Sequence, residues 1–134
     1  MTDSFEVSKF FPEVSAKQLY NAWLDSEAHS AFTGSPAQIN PDIGSEFTAW
    51  DGYISGRTLE AEPFQRIVQA WRTTEFPEDS PDSRLEILIE DMDNGVQVTL
   101  VHSGIPAGQG ENYRQGWGEY YFDPMQRYFS TKQR

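Results

Sequence analysis

Two histidines, no cysteine and an excess of carboxylates restrict the chemistry open to this 134-residue chain. A zinc site built on His29 and His102 would need carboxylates drawn from distant parts of the sequence, because no thiolate is present. The stretch "DMDNG" at 91–95 resembles the start of a calcium loop, but its glycine falls one position early. Its twelfth position is His102 instead of a bidentate Glu, so it reads as a hairpin turn. Glu60 and Glu62 share a strand face, yet acids are so abundant that a solvated edge explains them better. There is no G-x-S-x-G elbow, no phosphate-cradling glycine loop and no dinucleotide fingerprint. His102 with an inward carboxylate is the one arrangement that could serve general acid–base chemistry. A hydrogen-bonded wall residue is the commoner role for such a histidine, so the expectation is a non-enzymatic protein with no metal and no cofactor.

Residues of another kind are plentiful. Four Trp, six Tyr and nine Phe make aromatic rings 14% of the chain, and they must dominate its interior. With 21 acidic against 10 basic residues the formal charge is −11, which repels phosphate backbones and anionic lipid head groups. Nucleic-acid binding is therefore not expected. No apolar run approaches the ~20 residues that span a membrane, and "MTDSFEVSKFF" lacks the basic and apolar regions of a secretory signal. A single cytoplasmic domain over residues 1–134 is the expectation.

The elements that would carry the rings follow from periodicity. "SFEVSKFF" reads as a strand closed by Pro12. In "SAKQLYNAWLD", Ser15 and Gln18 have capping-box spacing ahead of a short amphipathic helix. A second short helix fits "DSEAHSAFTG", capped by Asp25 or Ser26 and stopped by Gly34. From residue 36 short apolar runs alternate with turn residues, as in an antiparallel sheet with hairpin connections. Asn94-Gly95 suits a type I′ turn. Leu85, Ile87 and Ile89 share one strand face, as do Val96, Val98, Leu100 and His102 on the next strand. Ile54 and Leu59 have opposite parity, which a β-bulge at Gly56 would reconcile.

The last element spans Glu111 to about Lys132 and is helical, with Tyr113, Trp117, Tyr120, Tyr121, Pro124, Met125 and Tyr128 repeating every three or four residues. Pro124 should bend it near Asp123, with Asp123 recapping the segment that follows. Gly116 and Gly118, flanking Trp117, each cost about 1 kcal/mol in a helix interior. Burying ~200 Å² of Trp117 contributes at most about 5 kcal/mol, which more than offsets them. Two missing side chains would also let the helix approach the sheet or another element closely. Core packing alone accounts for the ring spacing. The competing reading is a cleft between helix and curved sheet, the kind of concave apolar space that ligands occupy.

The segments "DGYISGRTLEAEPFQRIVQAWR", "SRLEILIE", "VQVTLVHSGIPAG" and "YRQGWGEYYFDPMQRYF" together resemble the C-terminal-type domain of activators of the heat-shock-protein-90 ATPase. This is a branch of the SRPBCC (START-like, Bet v 1-like) superfamily, and the likeness runs over nearly the whole chain. It implies an α+β helix-grip fold, with a curved antiparallel sheet of about six or seven strands wrapped on a long C-terminal helix and two short helices after the first strand. It also implies a cavity between sheet and helix, where many superfamily members hold hydrophobic molecules. The eukaryotic activators dock on the chaperone, with a separate N-terminal domain doing much of the work. This sequence opens almost at the first strand, so chaperone activation is not expected of these residues alone.

Two functions follow as expectations. The first is binding of an apolar or amphipathic small molecule, with Phe47, Trp50, Trp71, Ile87, Leu100, His102, Trp117 and Tyr121 as cavity walls. In it His102 and Tyr121 would orient a polar group of the ligand. The second is a co-chaperone-like interaction module, stress-related, acting through its acidic surface on a chaperone.

Overall fold

The computed structural model describes residues 2–132. Six strands form one antiparallel sheet: β1 (Thr2–Pro12), β2 (Glu46–Ala49), β3 (Ile54–Glu62), β4 (Arg66–Thr73), β5 (Ser83–Met92) and β6 (Gly95–Pro106). Their spatial order is β1-β6-β5-β4-β3-β2. Helices α1 (Ala16–Trp23) and α2 (Ser26–Thr33) carry the chain from the β1 edge to the β2 edge. A C-terminal rod of α3 (Gly110–Gly116), a π-helical segment (Trp117–Phe122) and α4 (Asp123–Lys132) follows β6. This is the α+β helix-grip arrangement.

Local chemistry sets the short helices. Ser15 accepts from the Gln18 N–H at 3.1 Å and Gln18 returns the bond to the Ser15 N–H at 2.9 Å, a reciprocal cap on α1. Asp25 caps α2 through the Ala28 N–H, and Gly34 ends it in the left-handed conformation, φ 78°. Asp3 Oδ2 accepts from both Gly108 and Gly110 N–H groups at 2.9 Å, tying the start of β1 to the start of the rod.

The inward faces alternate as the pattern requires. Leu85, Ile87 and Ile89 of β5 and Val96, Val98, Leu100 and His102 of β6 are all buried. Phe122 and Phe129 of the rod meet Phe11 of β1 edge-on, each with centroids 6.1 Å apart. Arg66 bridges Glu60, Glu62 and Glu86 across β3, β4 and β5.

Four local expectations need correction. The β3 irregularity lies between Thr58 and Glu60, not at Gly56, so Leu59 is the inserted residue and turns outward. Gly56 is needed for a close approach, since a Cβ there would stand 1.8 Å from the Ala70 carbonyl oxygen. At the β5–β6 hairpin Met92 pairs with Gly95, so Asp93 and Asn94 form the turn, and neither Asn94 nor Gly95 has a positive φ. Gly95 serves packing instead, because a Cβ would meet the Phe11 carbonyl oxygen at 2.2 Å.

In the rod, Asp123 is helical at φ −63° and ψ −51° and therefore does not recap a new segment. Its N–H reaches the Gly118 carbonyl, an i→i−5 bond, and the wider π turn brings the chain to Pro124 without a break. Gly116 and Gly118 do not admit a close neighbour. A Cβ at 118 would meet nothing within 4 Å, and one at 116 would make an ordinary 3.7 Å contact with Tyr120.

Candidate functional site

At the β2–β3 end of the sheet the rod stands away from the strands and leaves a cleft of about 430 Å³. Trp71 comes from β4 and Ile54 from β3, while Trp50 and Tyr53 come from the β2–β3 turn. Tyr113, Trp117, Tyr120 and Tyr121 face them from one side of the rod, Tyr113 on α3 and the other three on the π-helical segment. Trp71 crosses Tyr113 at 81° with centroids 5.1 Å apart, and Trp117 lies 5.6 Å from Trp71. At the outer end Trp50 and Tyr120 cross at 77°, 5.8 Å apart.

Trp50 is held there against its backbone preference. It has φ 52°, and Asp51 and Gly52 continue at 55° and 91°. A left-handed backbone costs a residue with a Cβ roughly 1–2 kcal/mol. The turn is fixed by Asp51 N–H to Pro36 carbonyl at 2.9 Å and Tyr53 N–H to Trp50 carbonyl at 3.1 Å. Strain of this kind persists where the surrounding structure over-determines it.

Behind the floor of the cleft runs a hydrogen-bonded relay. The Trp117 indole N–H donates to His102 Nδ1 at 3.2 Å, which places the imidazole proton on Nε2. Nε2–H then donates to Ser83 Oγ at 2.9 Å, and the Ser83 hydroxyl donates to the Trp71 carbonyl at 2.7 Å. Burial lowers the His102 pKa to about 3, so the ring is neutral in ordinary conditions. His29 does the same for the neighbouring ring. Its Nδ1–H donates to the Trp23 carbonyl at 2.8 Å and its Nε2 accepts from the Tyr121 hydroxyl at 2.9 Å. Burial again lowers its pKa, to about 4. With all four ring nitrogens hydrogen-bonded within the protein, the two histidines fix wall rings in place.

The rim is polar. The Tyr53 hydroxyl donates to the Glu75 carboxylate. Thr73 donates to the Tyr113 hydroxyl at 2.6 Å, which donates to Gln109 Oε1 at 2.7 Å, and Gln109 Nε2 donates to the Glu75 carbonyl at 3.0 Å. Burial is the main cause that raises the pKa of Tyr53, Tyr113 and Tyr121, so these phenols stay protonated. Among the described residues no group of three or more His, Cys, Asp or Glu converges on a metal position.

Of the eight wall residues expected from the sequence, Trp50, Trp71, Trp117 and Tyr121 line the cleft. Phe47, Ile87, Leu100 and His102 are buried outside its lining. Phe47 packs under Gly56, and His102, 0% exposed, supports Trp71 and Trp117 from behind. Tyr121 has its hydroxyl committed to His29. The rim residues Tyr53, Glu75 and Gln109 were missed, since they lie in or beside loops where no periodicity points to a shared site. Tyr113 and Tyr120 could have been found from their spacing to Trp117.

A sheet gripping one long C-terminal helix over an aromatic cleft defines a domain of the helix-grip class. The family model described as Activator of Hsp90 ATPase homolog 1-like protein matches residues 13–130, and the chain belongs to that family. It is 32% identical over 115 residues to the human protein "Activator of 90 kDa heat shock protein ATPase homolog 1". That match covers 86% of this chain and 34% of the human protein, so the chain spans about a third of the length of the curated relatives it matches. The fold is shared with the crystal structure of an HSP90 activator from Plasmodium falciparum, at TM-score 0.85 and 23% identity over 95% of this chain and 96% of that one. It is shared also with the Aha1 dimer from Colwellia psychrerythraea, at TM-score 0.74 and 12% identity over 90% and 92% of the two chains. Among the described residues no helix is long and apolar enough to cross a membrane.

Proposed function

We propose that this domain binds an apolar or amphipathic small molecule in the cleft between its sheet and C-terminal rod, without chemical change to it, as a cytoplasmic protein. The observation that carries this reading is an open aromatic space of about 430 Å³, into which Trp50 is turned at a cost in backbone strain. That volume falls within the ~300–1,000 Å³ of small-molecule sites. A space serving the core alone would be expected to close, because interiors pack to crystal density. Native mass spectrometry of freshly purified protein should show an adduct of small mass. A screen of lipids and metabolites should raise the melting temperature and quench tryptophan emission together, since a ligand at 100 times its Kd stabilises by about 2.7 kcal/mol. Bare protein and a flat screen would overturn the reading.

A second reading, docking on a chaperone, is supported by the family membership and the 32% identity to a human ATPase activator. On that reading the acidic surface, at formal charge −11, would carry the contact. Capture of the chaperone should weaken above roughly 0.3 M salt as screening sets in. Capture that is indifferent to salt would remove the electrostatic basis of this reading.

A further inference from the structure

We propose that the cleft selects an organic ammonium ion carried on an apolar body, recognised by cation–π contact with its outer rings and by the Glu75 carboxylate. This rests on the reading of the cleft as a ligand site and names the class of ligand. Trp50, Tyr53, Tyr113 and Tyr120 present accessible indole and phenol rings to one space, whose deeper lining includes the nearly buried Trp71 and Trp117. Ring faces are electron-rich, and a cation within about 6 Å of a Trp or Tyr centroid is attracted to them, the more so where water is excluded. A neutral hydrocarbon gains burial from the same surfaces but nothing from their quadrupoles.

Charge points the same way. Among the described residues Glu75 is the only acidic or basic residue of the lining, and no Lys or Arg is part of it. Among the described residues Glu75 is in no ion pair, its carboxylate being held by the Tyr53 hydroxyl alone. The two histidines behind the rings use every nitrogen within the protein, so no imidazolium competes for the site. An anionic amphipath would meet a carboxylate at the rim and, among the described residues, no cation in the wall. The formal charge of −11 adds a long-range attraction for cations. The cleft is about three times the ~150 Å³ of a cavity that takes up benzene, room for an aryl or short alkyl body together with a trimethylammonium group.

The test uses three probes with one body: a phenylbutyl chain ending in trimethylammonium, in its neutral tert-butyl isostere, or in a sulfonate. Each is titrated into the full chain while tryptophan emission is followed, at 20 and 300 mM salt. The ammonium probe should bind about tenfold more tightly than the tert-butyl probe, the sulfonate most weakly, and the preference should shrink in salt. Glu75→Gln, at an exposed position that keeps a partner for Tyr53, should reduce the preference to about threefold. Tyr120→Leu, at a side chain 56% exposed, should weaken the ammonium probe more than its neutral isostere. Equal or tighter binding of the tert-butyl probe would overturn the ammonium preference and leave the cleft a plain apolar site. Binding of none of the three would overturn the ligand reading itself, and this proposal with it. A preference untouched by both substitutions would also overturn the assignment of these residues.

Discussion

The two ends of the contact between rod and sheet are built from similar elements and behave differently. At the β1 end, Phe11, Val96 and Val98 face Phe122, Met125 and Phe129, all buried in a closed layer. At the β2 end, Trp71 touches Tyr113 and Trp117, and these rings form one wall of a cleft of about 430 Å³. Flexible Met and edge-on Phe rings fill irregular space, whereas indoles pinned by hydrogen bonds cannot shift to close a gap. Trp117 is hydrogen-bonded to His102 and Tyr121 to His29, so buried polar groups fix the orientation of rings at the cleft end. The difference teaches that aromatic content alone does not make a core. What matters is whether the rings are free to interlock.

The comparison can be broken at its closed end first. Met125→Ala should cost about 3 kcal/mol and lower the melting temperature by roughly 10 °C without altering ligand binding, because Met125 is fully buried and lies outside the cleft. A loss under 1 kcal/mol would mean that this end is not tightly packed. Second in size is the pH response of the histidines beneath the open end. Their folded pKa values, about 3 for His102 and about 4 for His29, lie below the ordinary imidazole value of 6.5. As pH falls the unfolded chain therefore takes up protons first, so stability is full above pH 6.5 and declines from there towards pH 4. Each histidine contributes up to about 1.4 kcal/mol per pH unit in that window, which makes roughly 2–3 kcal/mol for both between pH 7.5 and 5.5. Urea midpoints at three pH values measure it, and a flat profile would show that the imidazoles are not buried neutral.

Smaller effects sharpen the contrast. Trp50→Asn should change stability by less than about 1 kcal/mol, since lost ring contacts are offset by a residue that tolerates positive φ. It should nevertheless weaken any cleft ligand about tenfold, and equal affinity in the two proteins would remove Trp50 from the site. Gly118→Ala should stabilise by about 0.5–1 kcal/mol, because the new methyl meets no neighbour and the unfolded chain loses freedom. Destabilisation would show that the π-helical segment, not space, requires glycine there.

Much of the fold could be read from residue order. The reciprocal Ser15–Gln18 cap, the Gly34 stop and the buried faces of β5 and β6 all appear where local pattern places them. The candidate site was legible only in part. Trp50, Trp71, Trp117 and Tyr121 line the cleft, while Phe47, Ile87, Leu100 and His102 sit outside its lining. Alternation tells that a side chain faces inward, but it does not distinguish the lining of a space from the layer behind it. The rim escaped because Tyr53, Glu75 and Gln109 meet only when three separate turns converge.

The residue order by itself determined the type and sequence of the elements, because capping, alternation and helical spacing act over a few positions. It also determined that no Cys chemistry is open to the chain and that its surface is strongly acidic. Tertiary structure alone decided where the bulge falls, how Pro124 is absorbed by a π turn, and which glycines matter for packing. It decided too that both histidines are neutral supports. Each of these depends on groups far apart in the chain reaching within a few ångströms of each other, and neither local propensity nor composition encodes that distance.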